Sequence, residues 1–293
     1  MTVELSIAFG ENKGLIGTIC RPSTPVSGPT GLGMVLFNAG VIHRIGPHRL
    51  NVRLARRLAE QGIPSIRFDL AGLGDSARPS GNHSFEAQAV SDLRSAMDAL
   101  GSNAQTQRFA LLGLCSGAVH GYATSFADDR VVGLLIFDNY RYRTLKARLN
   151  LYSMRVREHG LPRAVGGWIL RKVSTALKSV GKAKGRSDDV AFISTGPSKP
   201  EFAKGLKTLL DRGVKIGLIY TGEAFDFYNY ERQFQDAFHG LGVAHRVTVS
   251  FLPDLDHAAT SIAVQADLVL RIQRWAVDLS GAPASAPEFS KPE

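Results

Sequence analysis

The 293-residue sequence predicts an α/β fold: an eight-stranded, mostly parallel sheet with helices on both faces and an inserted helical cap. Three observations carry that expectation. From Gly33 onward, short β-branched or apolar runs alternate with longer stretches of helical period. An apolar strand runs through Gly113-Leu114-Cys115-Ser116-Gly117 directly into a helix-compatible segment. Finally, about 75 residues separate two late strands that a simple crossover would join with far fewer.

The first two strands, Leu5–Phe9 and Leu15–Cys20, flank Gly10-Glu11-Asn12-Lys13-Gly14, whose turn chemistry predicts an antiparallel hairpin. Further strands are expected at Gly33–Asn38, Pro64–Phe68, Phe109–Leu112, Val132–Phe137, Lys215–Tyr220 and Ala244–Leu252. Between them, Leu50–Gln61 places Leu50, Leu54 and Leu58 on one helical face. Phe85–Leu100 turns Ala89, Leu93, Met97 and Leu100 inward. Alternation of this kind builds a parallel sheet covered on both sides. The core then comprises residues 1–139 and 210–279. Residues 140–209 read as a basic helical cap, with Leu145, Leu149 and Tyr152 at helical spacing and a second helix around Trp168–Val180. Gly160-Leu161-Pro162 marks a turn between them, and Gly181–Asp189 a polar connection. The Pro/Ala/Ser-rich tail, 280–293, reads as disordered. No internal repeat is visible.

Composition excludes several classes. With 44% hydrophobic and 21% charged residues the chain is not a disordered one. Its two cysteines, Cys20 and Cys115, rule out a disulfide scaffold and a Cys-rich zinc module. No apolar run approaches the ~20 residues of a membrane span. The N-terminus lacks a basic stretch followed by an apolar one, so a cytoplasmic protein is expected. The net charge of +9 is local: Arg141–Ser187 holds 13 Lys/Arg against one acid, Glu158. The rest of the chain carries 22 basic and 25 acidic residues. No recognition motif accompanies the charge, so nucleic acid is not an expected partner. Its interleaving with Leu145, Leu149, Tyr152, Trp168 and Leu170 fits a solvated face over an apolar underside. It equally fits an acidic partner: a carrier protein, an anionic substrate or a membrane surface touched peripherally.

The chemistry is expected at Cys115. In Gly-x-Cys-x-Gly the central side chain sits on a strained strand-to-helix turn, and the glycines avoid clashes with neighbouring backbone. Amides at the helix start lower a thiol's pKa and can bind an oxyanion. The competing reading is a buried structural cysteine in a Gly-rich turn. Ser116, one residue past the centre, offers its N–H more usefully than its hydroxyl.

Three other stretches stand at strand ends: Phe37-Asn38-Ala39-Gly40-Val41, Arg67-Phe68-Asp69-Leu70-Ala71-Gly72-Leu73-Gly74-Asp75-Ser76, and Phe251-Leu252-Pro253-Asp254-Leu255-Asp256-His257. Together with the elbow they resemble the α/β-hydrolase superfamily over roughly Leu5 to Val277. Asn38-Ala39-Gly40, Arg44-Ile45-Gly46-Pro47 and Gly113-Leu114-Cys115-Ser116-Gly117-Ala118 are most similar to small hydrolases associated with exosortase-type polysaccharide gene clusters. The resemblance implies Cys115 as nucleophile and His257 as general base. It places the triad acid after the seventh strand, where Asp226 is favoured and Glu223 is the alternative. Oxyanion donors would be the amides of Ser116 and of Gly40 or Val41. His43, Arg44 and Arg49 after the third strand, with Tyr152 and Trp168 in the cap, are candidate substrate contacts. The alternative reading of Arg44 and Arg49 pairs them with acids such as Asp69 or Asp75. The chemistry needs no metal or organic cofactor. The activity implied is ester or thioester cleavage through an acyl-enzyme. An acyltransferase using an amine or hydroxyl acceptor is the alternative, and a non-catalytic protein binding an acidic partner through its cap is a third reading.

Overall fold

The computed structural model describes residues 2–23, 31–159 and 196–281. Its strands are β1 (Thr2–Phe9), β2 (Leu15–Pro22), β3 (Leu32–Leu36), β4 (Ser65–Phe68), β5 (Arg108–Leu114), β6 (Val131–Phe137), β7 (Lys215–Thr221) and β8 (Thr248–Leu252). They form one 8-stranded sheet in the order β1-β2-β4-β3-β5-β6-β7-β8. The hairpin expected at the start is present, with β1 pairing β2 from Thr2↔Pro22 to Phe9↔Leu15. Strand β2 is also antiparallel to β4, and every later pairing is parallel.

Helices α1 (Leu50–Glu60), α2 (Phe85–Ala104), α3 (Gly117–Ala127), α4 (Leu145–His159), α5 (Lys199–Asp211), α6 (Gln233–Ala237) and α7 (Ile262–Ser280) follow in chain order. Strand residues alternate between two buried clusters, as the two-residue period of a strand dictates. Ala110, Leu112, Leu135, Phe137 and Ile219 face a layer with Leu50, Leu54 and Leu58 of α1 and Leu268 and Ile272 of α7. Leu111, Leu134, Ile136 and Leu218 face Leu93, Met97 and Leu100 of α2 and Phe202, Leu206 and Leu209 of α5. Each such fully buried aliphatic side chain contributes roughly 1.5–3 kcal/mol. Two helix starts carry side-chain caps: Ser84 Oγ accepts the Ala87 amide at 3.3 Å on α2, and Ser198 and Glu201 close a capping box on α5.

The inserted segment differs from expectation in two respects. Helix α5 begins within 140–209, yet its Phe202, Leu206 and Leu209 pack into the core beneath the sheet. Residues 199–209 therefore serve as an ordinary crossover helix rather than as cap. On α4, Leu145 and Leu149 are 74% and 62% exposed, and Tyr152 is exposed as well. Its packed side carries Ala147, with Leu151 and Met154 half-buried. The apolar spacing is real, but it faces away from the sheet. The second expected cap helix, Trp168–Val180, its flanking turn and connection, and the tail from 282 lie outside the described residues. No helix among the described residues is long and apolar enough to cross a membrane.

Candidate active site

The parallel strands β3, β5, β6, β7 and β8 point their C-terminal ends to one edge, the place where open α/β sheets gather ligands. Thr221 ends β7 there, and Asn38, Cys115, Asp138 and His257 follow the ends of β3, β5, β6 and β8. Cys115 holds φ at 51°, in the left-handed region that non-glycine residues seldom occupy. The flanking glycines permit it. A Cβ on Gly113 would lie 2.5 Å from Ala118 Cα, and one on Gly117 would lie 2.8 Å from the Asn38 carbonyl. The turn is tied down from outside as well, since Asn139 Nδ2 donates to the Cys115 carbonyl at 2.7 Å.

The Cys115 thiol and the His257 imidazole share a hydrogen bond, and His257 Nδ1 lies 2.8 Å from Asp138 Oδ2. Asp138 has no solvent-exposed side-chain surface. Its Oδ1 accepts the Thr221 amide at 2.9 Å, and its Oδ2 also accepts the Thr221 hydroxyl. Burial alone would raise its pKa, but the bonds from His257 and Thr221 outweigh it and hold the carboxyl below its ordinary range. The same contacts polarise the pair above it. Asp138 first, then Cys115, raises His257 to about 10 against opposing burial. The bond to His257 is the main cause that lowers the Cys115 pKa against desolvation, with the Ser116 N–H and the Arg141 charge adding to it. Both shifts favour a resting thiolate–imidazolium pair.

This geometry corrects the expected acid. Neither Asp226 nor Glu223 reaches the imidazole ring. Gly222 is pressed against the loop after β8, donating to the Leu252 and Leu255 carbonyls, with no room for a Cβ beside the Pro253 carbonyl. The chain beyond it turns away and delivers Asp226 to Arg155 of α4, at 3.4 Å. Glu223 instead accepts the backbone N–H of His257 and anchors that loop. The carboxylate at the imidazole comes from the end of β6, where Asp138 adopts φ 53°. Its sequence signal was an acid directly after the apolar run Val131–Phe137, the same placement that drew attention to the other strand ends.

Around the elbow, the Ser116 N–H points its hydrogen bond at the Cys115 sulfur. The Ser116 hydroxyl accepts the Gly40 amide at 2.7 Å, so that amide is engaged. The Val41 amide has no partner among the described residues, and Val41 lines the cavity. His43 and Arg44 are not cavity residues. Arg44 Nη1 reaches Asp69 Oδ2 at 2.5 Å, Asp75 Oδ2 at 2.7 Å and His43 Nε2 at 2.7 Å. His43, Asp69 and Asp75 otherwise have the spacing of a cation site, with ligand atoms within 4.8 Å of one another. The guanidinium already supplies the positive charge there. Arg49, an exposed residue preceding α1, and exposed Tyr152 do not line the cavity either, and Trp168 lies outside the described residues.

The cavity itself measures about 640 Å³, and Cys115, Ser116 and Asp138 stand in its wall. Leu70, Leu73, Phe85 and Val119 make much of it apolar, while Tyr140, Arg141 and Phe227 close the side nearest β6 and β7. A chamber of this size suits a small organic substrate.

The sheet order, the elbow and the two-sided helical layers define an α/β-hydrolase fold. Solved structures agree. An esterase from Pyrococcus furiosus superposes with a TM-score of 0.56 at 13% identity, covering 95% of this chain and 90% of its own. An α/β serine hydrolase without lid from Xanthomonas campestris gives 0.52 at 16% identity, covering 97% of each chain. A putative dienelactone hydrolase from Klebsiella pneumoniae gives 0.51 at 14%, covering 94% of this chain and 99% of its own. At these identities the likeness is one of fold. No protein-family model matches the chain, and no curated protein matches it in sequence.

Proposed function

We propose that the protein is a cysteine-dependent hydrolase that cleaves an ester or thioester through an acyl-enzyme on Cys115. The observation that supports this most is the Cys115–His257–Asp138 relay at a strained elbow facing a cavity of about 640 Å³. The esterases among the structural neighbours support the reaction class.

In the resting ion pair the proton already sits on His257. The thiolate attacks the acyl carbon, and the carbonyl electron pair moves onto oxygen beside the amides of Ser116 and Val41. When the tetrahedral species collapses, the bond to the leaving alcohol or thiol breaks and imidazolium returns its proton to that group. Acylation removes the sulfur's charge and with it one of the contributions raising His257. The imidazole is then neutral and takes a proton from water attacking the thioester. Collapse breaks the carbon–sulfur bond, releasing the carboxylic acid and restoring the thiolate beside the imidazolium. Asp138 stays ionised throughout and keeps the ring oriented.

A pulse of p-nitrophenyl acetate followed by intact mass spectrometry tests the reading. An acetyl adduct on Cys115, absent in Cys115→Ala, is expected. No adduct on the folded wild-type protein overturns it. Supplying amines and alcohols during turnover and analysing products separates hydrolysis from transfer to an acceptor.

A further inference from the structure

Three residues beyond Asp138, the chain places a cation in the cavity wall. Arg141 is the single Lys or Arg lining the cavity among the described residues. Its side chain is half-buried and makes no hydrogen bond or ion pair among those residues. Its guanidinium rests over the Phe227 ring at 5.6 Å.

Neighbouring cations are differently situated. Arg44 is held by Asp69 and Asp75, Arg155 by the Asp226 carboxylate, and Arg143 donates to the Asp226 carbonyl at 2.8 Å. The backbone carrying Arg141 is fixed on both sides. Tyr140 stacks on Phe202 at 4.3 Å and accepts the Tyr220 hydroxyl on its carbonyl. Tyr142 donates its hydroxyl to the Pro197 carbonyl at 2.8 Å. A preorganised guanidinium, partly withdrawn from water and with no carboxylate bonded to it among the described residues, is a recognition element for a carboxylate. The other acids in the wall do not meet that need: Asp138 is committed to His257 and Thr221, and Glu86 comes from the distant α2 sequence with no bond to Arg141.

We infer that Arg141 selects substrates whose acyl group carries a free carboxylate, the half-esters or half-thioesters of small dicarboxylic acids. The inference rests on the hydrolase reading for its chemistry, but the binding of the anion does not require turnover. The apolar wall from Leu70, Leu73 and Val119 suits the methylene spacer between the two carboxyl carbons.

The test uses N-acetylcysteamine thioesters, whose thiol half is neutral, in matched pairs: succinyl against butyryl and glutaryl against valeryl. In Arg141→Gln the ratio of kcat/KM for charged over neutral acyl groups should fall at least tenfold in both pairs, with Arg141→Lys intermediate. A ratio that stays within twofold overturns the inference. So does an equal loss on both members of each pair, which would assign Arg141 to the poise of the thiolate. A second readout needs no turnover: glutarate should slow iodoacetamide labelling of Cys115, and Arg141→Gln should abolish that protection. If no thioester is cleaved, Arg141-dependent protection keeps the carboxylate site and discards the hydrolase reading; absence of protection discards the site. Inorganic phosphate run in parallel distinguishes a carboxylate site from a general anion site, and stronger protection by phosphate than by glutarate overturns the assignment to dicarboxylates.

Discussion

Cys115 and its partners carry the sharpest expectations at the scale of single residues. With its pKa lowered by His257, the thiol should react with iodoacetamide below the ordinary thiol value of about 8.5. The reactive ion pair spans the window from that depressed value up to about 10, where His257 loses its proton. His257→Ala removes the largest cause of the depression, so the midpoint of a labelling-rate profile should move upward and labelling at pH 7 should slow by more than about tenfold. Asp138→Asn should reduce kcat of the proposed acyl cleavage by about 10³-fold, because the imidazole loses both its orientation and its charge partner. Asp226→Asn should leave kcat within about threefold, since its carboxylate pairs with Arg155 at 3.4 Å and not with the ring. The reverse ranking in steady-state assays would restore the acid to the loop after β7. Cys115, His257 and Ser116 were legible in the sequence because the elbow's glycines and the position after the last strand mark them. The acid was not. Which of two strand-end carboxylates meets an imidazole depends on how a loop turns after Gly222, and no local residue pattern encodes that turn.

At the level of elements, the elbow and the loop after β3 are the demanding pieces. Gly113→Ala puts a methyl 2.5 Å from the Ala118 Cα, against backbone that cannot yield without shifting α3. Urea unfolding should show a loss of about 1–3 kcal/mol, and Cys115 labelling should slow because the elbow is displaced. The loop after β3 is held by Asp69, whose buried carboxylate accepts from Asn38 Nδ2 at 2.8 Å and the Arg44 amide at 2.7 Å besides the Arg44 guanidinium. Arg44→Ala leaves that carboxylate without its cation, and chemical denaturation should register about 3–5 kcal/mol of destabilisation. All eight strands, α1 and α2 were readable from period and punctuation: the interior strands, buried on both faces, announce themselves as apolar runs, and the exposed edge strand β1 was marked by the turn that pairs it with β2. The spacing of Leu145, Leu149 and Tyr152 was just as readable, yet it indicates only which side chains share a helical face. Which way that face turns is set by contacts elsewhere in the fold.

Taken as a whole, the molecule places its acid, the elbow's tether and the cavity's cation on one short stretch, Asp138-Asn139-Tyr140-Arg141, at the end of β6. The segment after β7 touches the imidazole's loop through the Gly222 amide, which donates to the Leu255 carbonyl, and through Glu223, which accepts the His257 N–H, and it contributes Phe227 to the cavity wall. Proton handling is thus gathered from the exits of β5, β6 and β8, while Phe227 is the one residue of the segment directly after β7 that lines the chamber among the described residues. Such a placement favours evolvability: Phe227 offers a place to recontour the chamber for longer or bulkier acyl groups while the machinery that moves protons stays untouched.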